Sequence, residues 1–120
     1  MILLYLPEYE SFAVLANVVS RPAFLPFLRF DAPHMSARFS AFASLFHAEL
    51  PRVAAHFEEQ GLTADMFHVD WWLTLFAKAL PIDVVSRVWD AYFLFGEIFL
   101  FRTGLGLLRL FESRLLDMDL

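Results

Sequence analysis

Proline and glycine divide this chain into short segments, and within each segment apolar residues recur every three or four positions. The residues that mark the divisions are Pro7, Pro22, Pro51, Gly61, Pro81 and Gly96. Such spacing places apolar side chains on one face of an α-helix, while proline and glycine often begin or end a helix. Neither an alternating polar and apolar run nor an Asn-Gly or Asp-Gly hairpin signal occurs in the sequence. The pattern therefore predicts an all-α fold of about six helices.

The first half of the chain predicts a helix over about Glu8–Val19, which begins after a proline and has two glutamates in its first turn. Residues 21–33 hold three prolines and predict an apolar loop with one short turn. Ser36 is the expected N-cap of the next helix. Its apolar stripe comprises Phe39, Phe42, Ala43, Phe46, Leu50, Val53, Ala54 and Phe57. Because Pro51 interrupts this stripe, we expect two helices, or one kinked helix, meeting near residues 49–52.

Three further helices are predicted in the second half of the chain. Gly61 is the expected end of the preceding helix, and Thr63 is the expected cap of a buried helix over residues 67–80. Asp83 favours the positive N-terminus of the following helix, and the last helix is expected over residues 97–116. The stripes expected to be buried are Val85, Val88, Trp89, Tyr92 and Phe95 in the former, and Leu100, Phe101, Leu105, Leu108, Phe111 and Leu115 in the latter.

An excess of apolar residues has two explanations, a membrane protein or part of a larger helical structure. The chain is 59% hydrophobic with fifteen phenylalanines, whereas a soluble domain is about 45–50% apolar. A membrane-spanning helix needs about 20 consecutive apolar residues, but the richest stretch, residues 84–101, contains four polar or charged side chains. Residues 1–6 lack the basic start of a secretory signal. The sequence therefore favours an interior piece whose apolar faces are covered by other parts.

Charge and residue types argue against several functions. A formal charge of −5 and a single lysine argue against nucleic-acid binding, which needs a concentrated basic face. Cysteine is absent, and His47 and His56 are nine positions apart, too far for a helical pair of metal ligands. The adjacent Glu58 and Glu59 do not face each other on a helix. We therefore predict no metal, no cofactor and no acid–base pair.

Five short features follow one another in residues 67–110, and their order is more specific than any single feature. They are Trp71-Trp72 followed by a leucine-rich helix, Leu80-Pro81, Arg87-x-Trp89-Asp90, Gly96-Glu97 and Leu100-Phe101-Arg102. In this order they resemble the C-terminal motif of TBC domains, the helical modules that accelerate GTP hydrolysis on Rab-family GTPases. The helix that holds His56-Phe57 and the preceding proline-rich loop resemble the middle of the family. The resemblance therefore assigns residues 1–120 to a partial TBC domain, the C-terminal portion of that helical fold.

The resemblance implies a larger module and a mechanism. TBC domains are wholly helical and roughly twice this length, and they act through two motifs, Ile-x-x-Asp-x-x-Arg and Tyr-x-Gln-Gly. The arginine neutralises charge that develops on the γ-phosphoryl group, and the glutamine positions the attacking water. An arginine supplied in trans raises the rate by about 10³–10⁵. In the family both motifs lie before the region that this chain resembles, so we expect the chain to begin just after the glutamine.

No catalytic residue carries over onto this sequence. Gln60-Gly61 is the one Gln-Gly pair, but no tyrosine stands two residues before the glutamine, so we interpret it as a helix end. Asp31 and Arg38 are seven positions apart instead of three. Arg87 and Arg102 match structural positions of the family. We therefore predict a non-enzymatic chain that activates no GTPase alone and supplies scaffold and part of a GTPase-binding surface.

His68 and Asp70, near the start of the buried helix, are our candidates for lining the side that faces the GTPase. The three tryptophans are expected in the core. We also expect Arg87 to pair with Asp90, or these two to pair with Arg102 and Glu97 across helices. The predicted structural motif comprises Trp71, Trp72, Pro81, Arg87, Trp89, Asp90, Gly96 and Arg102.

Three functional hypotheses follow from these features. The leading one makes the chain part of a Rab GTPase-activating protein, whose partner is a GTP-bound Rab-family GTPase in the cytoplasm. The second is a non-catalytic module that binds a GTPase or a helical partner. The third is peripheral association with endomembranes through the phenylalanine-rich residues 24–30, against which the negative net charge weighs.

Overall fold

Eight α-helices follow one another along residues 1–119, the part of the chain that the computed structural model describes. The helices are α1 (Glu8–Val19), α2 (Leu25–Leu28), α3 (Ala32–Glu49), α4 (Pro51–Glu59), α5 (Asp65–Thr74), α6 (Ile82–Phe95), α7 (Glu97–Leu110) and α8 (Glu112–Asp117). A single 3-10 turn over Ile2–Leu4 precedes them, and the described residues contain no β-strand. The all-α prediction is confirmed. The count exceeds six because the apolar loop contains α2 and because the last helix breaks at Phe111.

The first helix has its predicted bounds, but the third begins earlier than expected. Asp31, not Ser36, is the N-cap of α3, and its carboxylate accepts a hydrogen bond from the backbone N–H of His34 at 3.4 Å. Pro33 lies in the first turn, where a helix tolerates proline because the first N–H groups have no partner within the helix. The predicted break at Pro51 is confirmed, since α3 ends at Glu49 and α4 begins at the proline.

The helix predicted over residues 67–80 is shorter than expected. It begins at Asp65 without a side-chain cap, so Thr63 does not cap it, and it ends at Thr74. Leu75 and Phe76 follow with φ of 45° and 64°, a left-handed conformation that is unfavourable for residues with a side chain. Both side chains are buried, and that burial offsets the backbone strain.

Glycines end α4 and α6 as predicted. Gly61 has a φ of 72°. Its N–H donates to the carbonyl of Glu58, and the N–H of Leu62 donates to the carbonyl of Phe57, which is the pattern of a Schellman motif. Gly96 has a φ of 79°. Phe95 was expected in the core but is exposed, because it lies at the outer end of α6 beside this turn. Phe111 is also exposed, although less than half of its surface is accessible, because it lies in the break between α7 and α8.

Two groups of buried side chains form the core, and α1 contributes little to either. The first group joins α2, α5, α6 and the start of α7, and the second joins α3, α4 and the end of α7. Trp71 and Phe101 pack against both groups and connect them. From α1, only Ser11 and Val18 are buried.

Two glycines inside α7 give a matched pair for testing the core. A Cβ at Gly104 would lie 2.9 Å from Cε2 of Phe42 and 3.1 Å from Cζ3 of Trp71, whereas nothing lies within 4 Å of one at Gly106. Since Phe42 is fully buried, we expect Gly104→Ala to lower the free energy of unfolding by about 1–2 kcal/mol. Gly106→Ala should raise it by up to about 1 kcal/mol through helix propensity. Urea unfolding followed by circular dichroism measures both, and equal stability of the two variants would contradict this packing.

Candidate functional site

His68 lies inside a box of aromatic side chains and does not reach the surface. The rings whose centroids lie within 6.2 Å of its imidazole are those of Phe27, Phe39, Phe42, Trp72 and Phe101. Neither ring nitrogen of His68 has a hydrogen-bond partner among the described residues. Burial lowers its pKa from 6.5 to about 4, and the positive charge of Arg38 acts in the same direction while Asp65 opposes it. The imidazole is therefore neutral at physiological pH.

Asp70 lies on the surface, because residues two apart on a helix do not share a face. Its carboxylate accepts a hydrogen bond from Lys78 Nζ at 2.6 Å, and both side chains are more than half exposed. The structure therefore separates the two residues that the sequence grouped. Asp70 is available to a partner on the outer face of α5, whereas the side chain of His68 is enclosed behind it.

The three tryptophans lie in or against the core, as predicted. Trp72 is fully buried, and Trp71 and Trp89 are half-buried. Trp89 Nε1 donates a hydrogen bond to the backbone carbonyl of Leu75 at 2.8 Å, which ties α6 to the left-handed turn after α5. Pro81 precedes the first residue of α6.

The charged residues of the family motif do not form the expected ion pairs. Arg87, Asp90 and Arg102 are all exposed, and none of them forms an ion pair within residues 1–119. The expectation is wrong because α6 turns its Val85, Val88 and Tyr92 stripe inward and leaves these side chains outside. Glu97 does pair across helices, but its partner is Arg38.

Arg38 joins three segments of the chain in a clasp that sequence analysis missed. Its Nε donates to Glu97 Oε1 at 2.6 Å and its Nη2 lies 3.4 Å from Oε2. The guanidinium also donates to the backbone carbonyls of Pro22 at 2.5 Å and His34 at 3.2 Å. The Arg38 side chain is 15% exposed and the Glu97 side chain is 29% exposed. The clasp holds the start of α7 and the segment after α1 against α3.

An open groove of about 800 Å³ separates the N-terminal turn and α1 from α6. One wall consists of Val14, Asn17 and Val18 of α1 and of Arg21, which follows the helix. The other wall consists of Ser86, Trp89, Asp90 and Phe93, which have the spacing i, i+3, i+4, i+7 and therefore form one face of α6. The Tyr5 hydroxyl lies 2.7 Å from Ser86 Oγ and connects the N-terminal segment to α6.

The glutamine and the arginine that come closest to the catalytic types of the family lie at a helix end and in the clasp. Gln60 is the single glutamine and stands at the C-terminal end of α4 beside Gly61. Arg38 is occupied by the clasp. His47 Nε2 lies 3.2 Å from Glu58 Oε1 on the surface of α3 and α4. No set of three or more His, Asp or Glu side chains converges on one point within residues 1–119.

The phenylalanine-rich segment is divided between core and surface. Phe24 and Phe27 are buried, whereas Leu28 and Phe30 are exposed. None of the described helices is both long and apolar enough to cross a bilayer.

Comparison with known proteins extends the motif over the whole chain. The model of the Rab-GTPase-TBC domain family matches residues 1–116. TBC1 domain family member 12 of Xenopus tropicalis is 44% identical over 119 residues, which are 99% of this chain and 17% of that protein. TBC1 domain family member 14 of Homo sapiens is 40% identical over 119 residues, which are 99% of this chain and 17% of that protein. Drainin of Dictyostelium discoideum is 42% identical over 117 residues, 98% of this chain and 27% of that protein.

The chain thus spans about a sixth to a quarter of the length of these relatives. The family match and the helical fold agree with each other. This chain belongs to the Rab-GTPase-TBC domain family.

Proposed function

We propose that this chain is the C-terminal portion of a GTPase-activating domain for Rab-family small GTPases. It supplies scaffold and part of the surface that binds the GTP-bound partner, and it does not accelerate GTP hydrolysis alone. The observation that carries the proposal is the family match over residues 1–116, in a sequence that contains neither an Ile-x-x-Asp-x-x-Arg nor a Tyr-x-Gln-Gly motif.

The positions of the polar side chains support the non-catalytic part of this proposal. Transition-state stabilisation needs an arginine whose guanidinium is free to reach a phosphoryl oxygen. Arg38 already donates to three partners, and withdrawing it would leave Glu97 without its ion pair. Gln60 lies at a helix end where Gly61 turns the chain. These positions support a non-catalytic role for the Arg38 and Gln60 side chains.

The shape of the chain supports its role as part of a larger surface. The accessible surface is 7531 Å², whereas a self-contained protein of 13.9 kDa exposes about 6,700 Å². The radius of gyration of 15.3 Å also exceeds the roughly 13.6 Å of a compact domain of this length. On α1, Tyr9 and Phe12 are largely exposed. A free-standing domain rarely leaves so much apolar surface uncovered.

A hydrolysis assay tests the proposal. Residues 1–120 should leave the GTP hydrolysis rate of each Rab in a panel unchanged within about twofold, since a supplied arginine accounts for about 10³–10⁵ in rate. The same protein should bind at least one Rab loaded with a non-hydrolysable GTP analogue, measured by biolayer interferometry. Asp70→Arg should weaken that binding, while Asp117→Arg on α8 serves as an exposed control.

Either of two results would contradict the proposal. Acceleration of hydrolysis by the isolated chain would show a catalytic group that the family motifs do not predict. Absence of binding to every GTP-loaded Rab would remove the GTPase-binding role and leave only a scaffold.

The second candidate function is a non-catalytic module that binds a GTPase or a helical partner, for which the exposed apolar face of α1 would be a contact surface. A soluble monomer that melts cooperatively would support that function, and aggregation would favour a dependent portion of a larger domain. Gel filtration and thermal melting distinguish the two.

The proposal includes a cytoplasmic location, where Rab-family GTPases meet their regulators, with peripheral association with endomembranes. Leu28 and Phe30 are the exposed apolar residues of the phenylalanine-rich segment and would make the membrane contact. Co-sedimentation with anionic liposomes tests this part, and absence of binding would remove it.

A further inference from the structure

We propose that a cleft between α3 and the segment from α4 to the start of α5 binds an arginine side chain of a partner protein. One wall of this α3–α4 cleft is a face of α3 from Ser36 to His47, and the other runs from Ala54 to Asp65. Its volume of about 320 Å³ is at the small end of the range of about 300–1,000 Å³ for ligand pockets. The cleft therefore has room for a side chain and not for a helix. The proposal does not rest on GTPase binding, because the cleft is defined by its own residues.

The α3–α4 cleft is separate from the N-terminal turn and from α1. All its lining residues lie within residues 36–65, and its buried members, Phe46, Ala54 and Phe57, belong to the second group of core side chains. Met1, by contrast, packs against the first group. The cleft is therefore not part of the α1 surface that we assign to a larger domain.

Small side chains on both walls make the recess, and an aromatic floor keeps it apolar. Ala43 on α3 and Ala54 on α4 both line the cleft. The buried rings of Phe46 and Phe57 meet edge to face, with their centroids 5.5 Å apart. Such a floor accepts the aliphatic stem of a long side chain and leaves its charged end at the surface.

Polar side chains along the cleft have acceptor atoms that are not in use. The hydroxyls of Ser36, Ser40 and Thr63 are exposed and form no side-chain hydrogen bond within residues 1–119. The hydroxyls inside α5, α6 and α7, by contrast, each donate to a backbone carbonyl one turn earlier. Asp65 is exposed and forms no ion pair within the same residues. Three hydroxyl oxygens and one carboxylate are thus available to a ligand.

These acceptors favour a guanidinium group over other ligand groups. Asp65 and Glu58 would repel an anion, and a wholly apolar group would leave the carboxylate and the hydroxyls desolvated without partners. A guanidinium has five N–H donors in a planar fork, so it can donate two to the carboxylate and others to the hydroxyl oxygens. An ammonium group has three donors and is more strongly hydrated. Arginine therefore fits both the apolar floor and the polar edge.

The test uses four synthetic peptides of the sequence Gly-Ser-X-Ser-Gly, in which X is arginine, lysine, citrulline or norleucine. Citrulline has the shape of arginine without its charge. Each peptide is titrated into ¹⁵N-labelled residues 1–120, and the shifts of the backbone amide signals give the affinity and the location of binding. The arginine peptide should bind most tightly, with its shifts concentrated in residues 36–65, and the citrulline peptide about three- to fivefold more weakly.

Two alanines of α3 separate binding in the cleft from binding elsewhere on the helix. Ala43 lines the cleft, whereas Ala41 is exposed on α3 outside it. Ala43→Leu should fill the recess and weaken binding of the arginine peptide at least fivefold, and Ala41→Leu should change it less than twofold. Circular dichroism checks that both variants fold.

Two aspartates test the charge recognition independently of the recess. Asp65 and Asp83 both lie in the first turn of a helix and are exposed, but only Asp65 lines the cleft. Asp65→Asn should remove the preference for the arginine peptide over the citrulline peptide. Asp83→Asn loses the same charge at the same kind of helix position and should keep that preference.

Any of four results would overturn the proposal. Equal affinity of the wild type for the arginine and citrulline peptides would show that no charge is recognised, and equal weakening by the members of either variant pair would place binding outside the cleft. A wild-type dimer in sedimentation that Ala43→Leu dissociates would assign the cleft to a second copy of this chain. The chain can also be joined to the segment that precedes the matched region in TBC1 domain family member 12 of Xenopus tropicalis. This fusion should bind the arginine peptide with unchanged affinity, and loss of binding would assign the cleft to the interior of a larger domain.

Discussion

Acidification from about pH 7.5 to about pH 5 is expected to lower the free energy of unfolding by about 2 kcal/mol through His68 alone. The pKa of His68 is about 4 in the folded chain and 6.5 as a free side chain. Between these values the unfolded chain binds a proton that the folded chain excludes, so stability is full above pH 6.5 and falls as the pH approaches 4. The cause is desolvation, because an imidazolium inside the aromatic box would have no hydrogen-bond partner.

The variant His68→Leu should remove most of this dependence on pH. Leucine has nearly the same volume and places no polar atom in the box, so we expect stability at neutral pH to stay equal or rise. Urea unfolding at several pH values measures the free energy of unfolding of the variant and of the wild type. The contribution of the acidic residues is the same in both and cancels in the difference. The difference should grow by about 2 kcal/mol between pH 7.5 and pH 5.

His47→Leu is the matched control, because His47 is an exposed residue paired with Glu58 on the surface. It should keep the wild-type loss of stability on acidification. If His68→Leu loses stability at acid pH as steeply as the wild type, the box does not hold the imidazole neutral and the packing around it is different.

Sequence analysis located helix boundaries best where a residue type alone determines the backbone. A proline before Glu8–Val19 and glycines at 61 and 96 set boundaries that the structure confirms. These residues act through φ and the missing N–H, which are local properties. Pro33 follows the same rule, but we treated it as part of a loop, although proline is well tolerated in the first turn that Asp31 caps.

The features that the sequence did not predict depend on contacts between distant residues. Leu75 and Phe76 take up a left-handed conformation without any glycine, because both side chains enter the core there. The burial of His68 likewise depends on aromatic residues from α2, α3 and α7, which no spacing along α5 shows. Sequence analysis therefore placed His68 on the correct helix but did not predict that its side chain is buried. A role of Asp70 in binding the GTPase remains a prediction.

The second large effect is expected from Arg38→Met, which should lower the free energy of unfolding by about 2–4 kcal/mol. The substitution keeps the apolar stem and removes the donors to Glu97, Pro22 and His34. The Glu97 carboxylate would remain largely enclosed without its partner, and that loss of solvation is the main cost. Urea unfolding at neutral pH measures it.

Arg109→Met is the matched control, because Arg109 also bridges to a carboxylate and a backbone carbonyl, both of Glu49. Its side chain and that of Glu49 are more than half exposed, so the loss should stay below about 1 kcal/mol. Added salt should reduce the effect of Arg109→Met and leave that of Arg38→Met nearly unchanged, since enclosed pairs are screened less.

A double-mutant cycle with Arg38→Met and Glu97→Gln isolates the pair itself. We expect a coupling energy of about 1–2 kcal/mol, because the two side chains touch and share no other ion-pair partner. Arg38→Lys should recover only part of the loss, since an ammonium group cannot donate in parallel to a carboxylate and two carbonyls at separate angles. If Arg38→Met costs no more than Arg109→Met, the clasp behaves as a surface ion pair. The hold of α3 on α7 would then depend on apolar contacts such as that between Phe42 and Phe101.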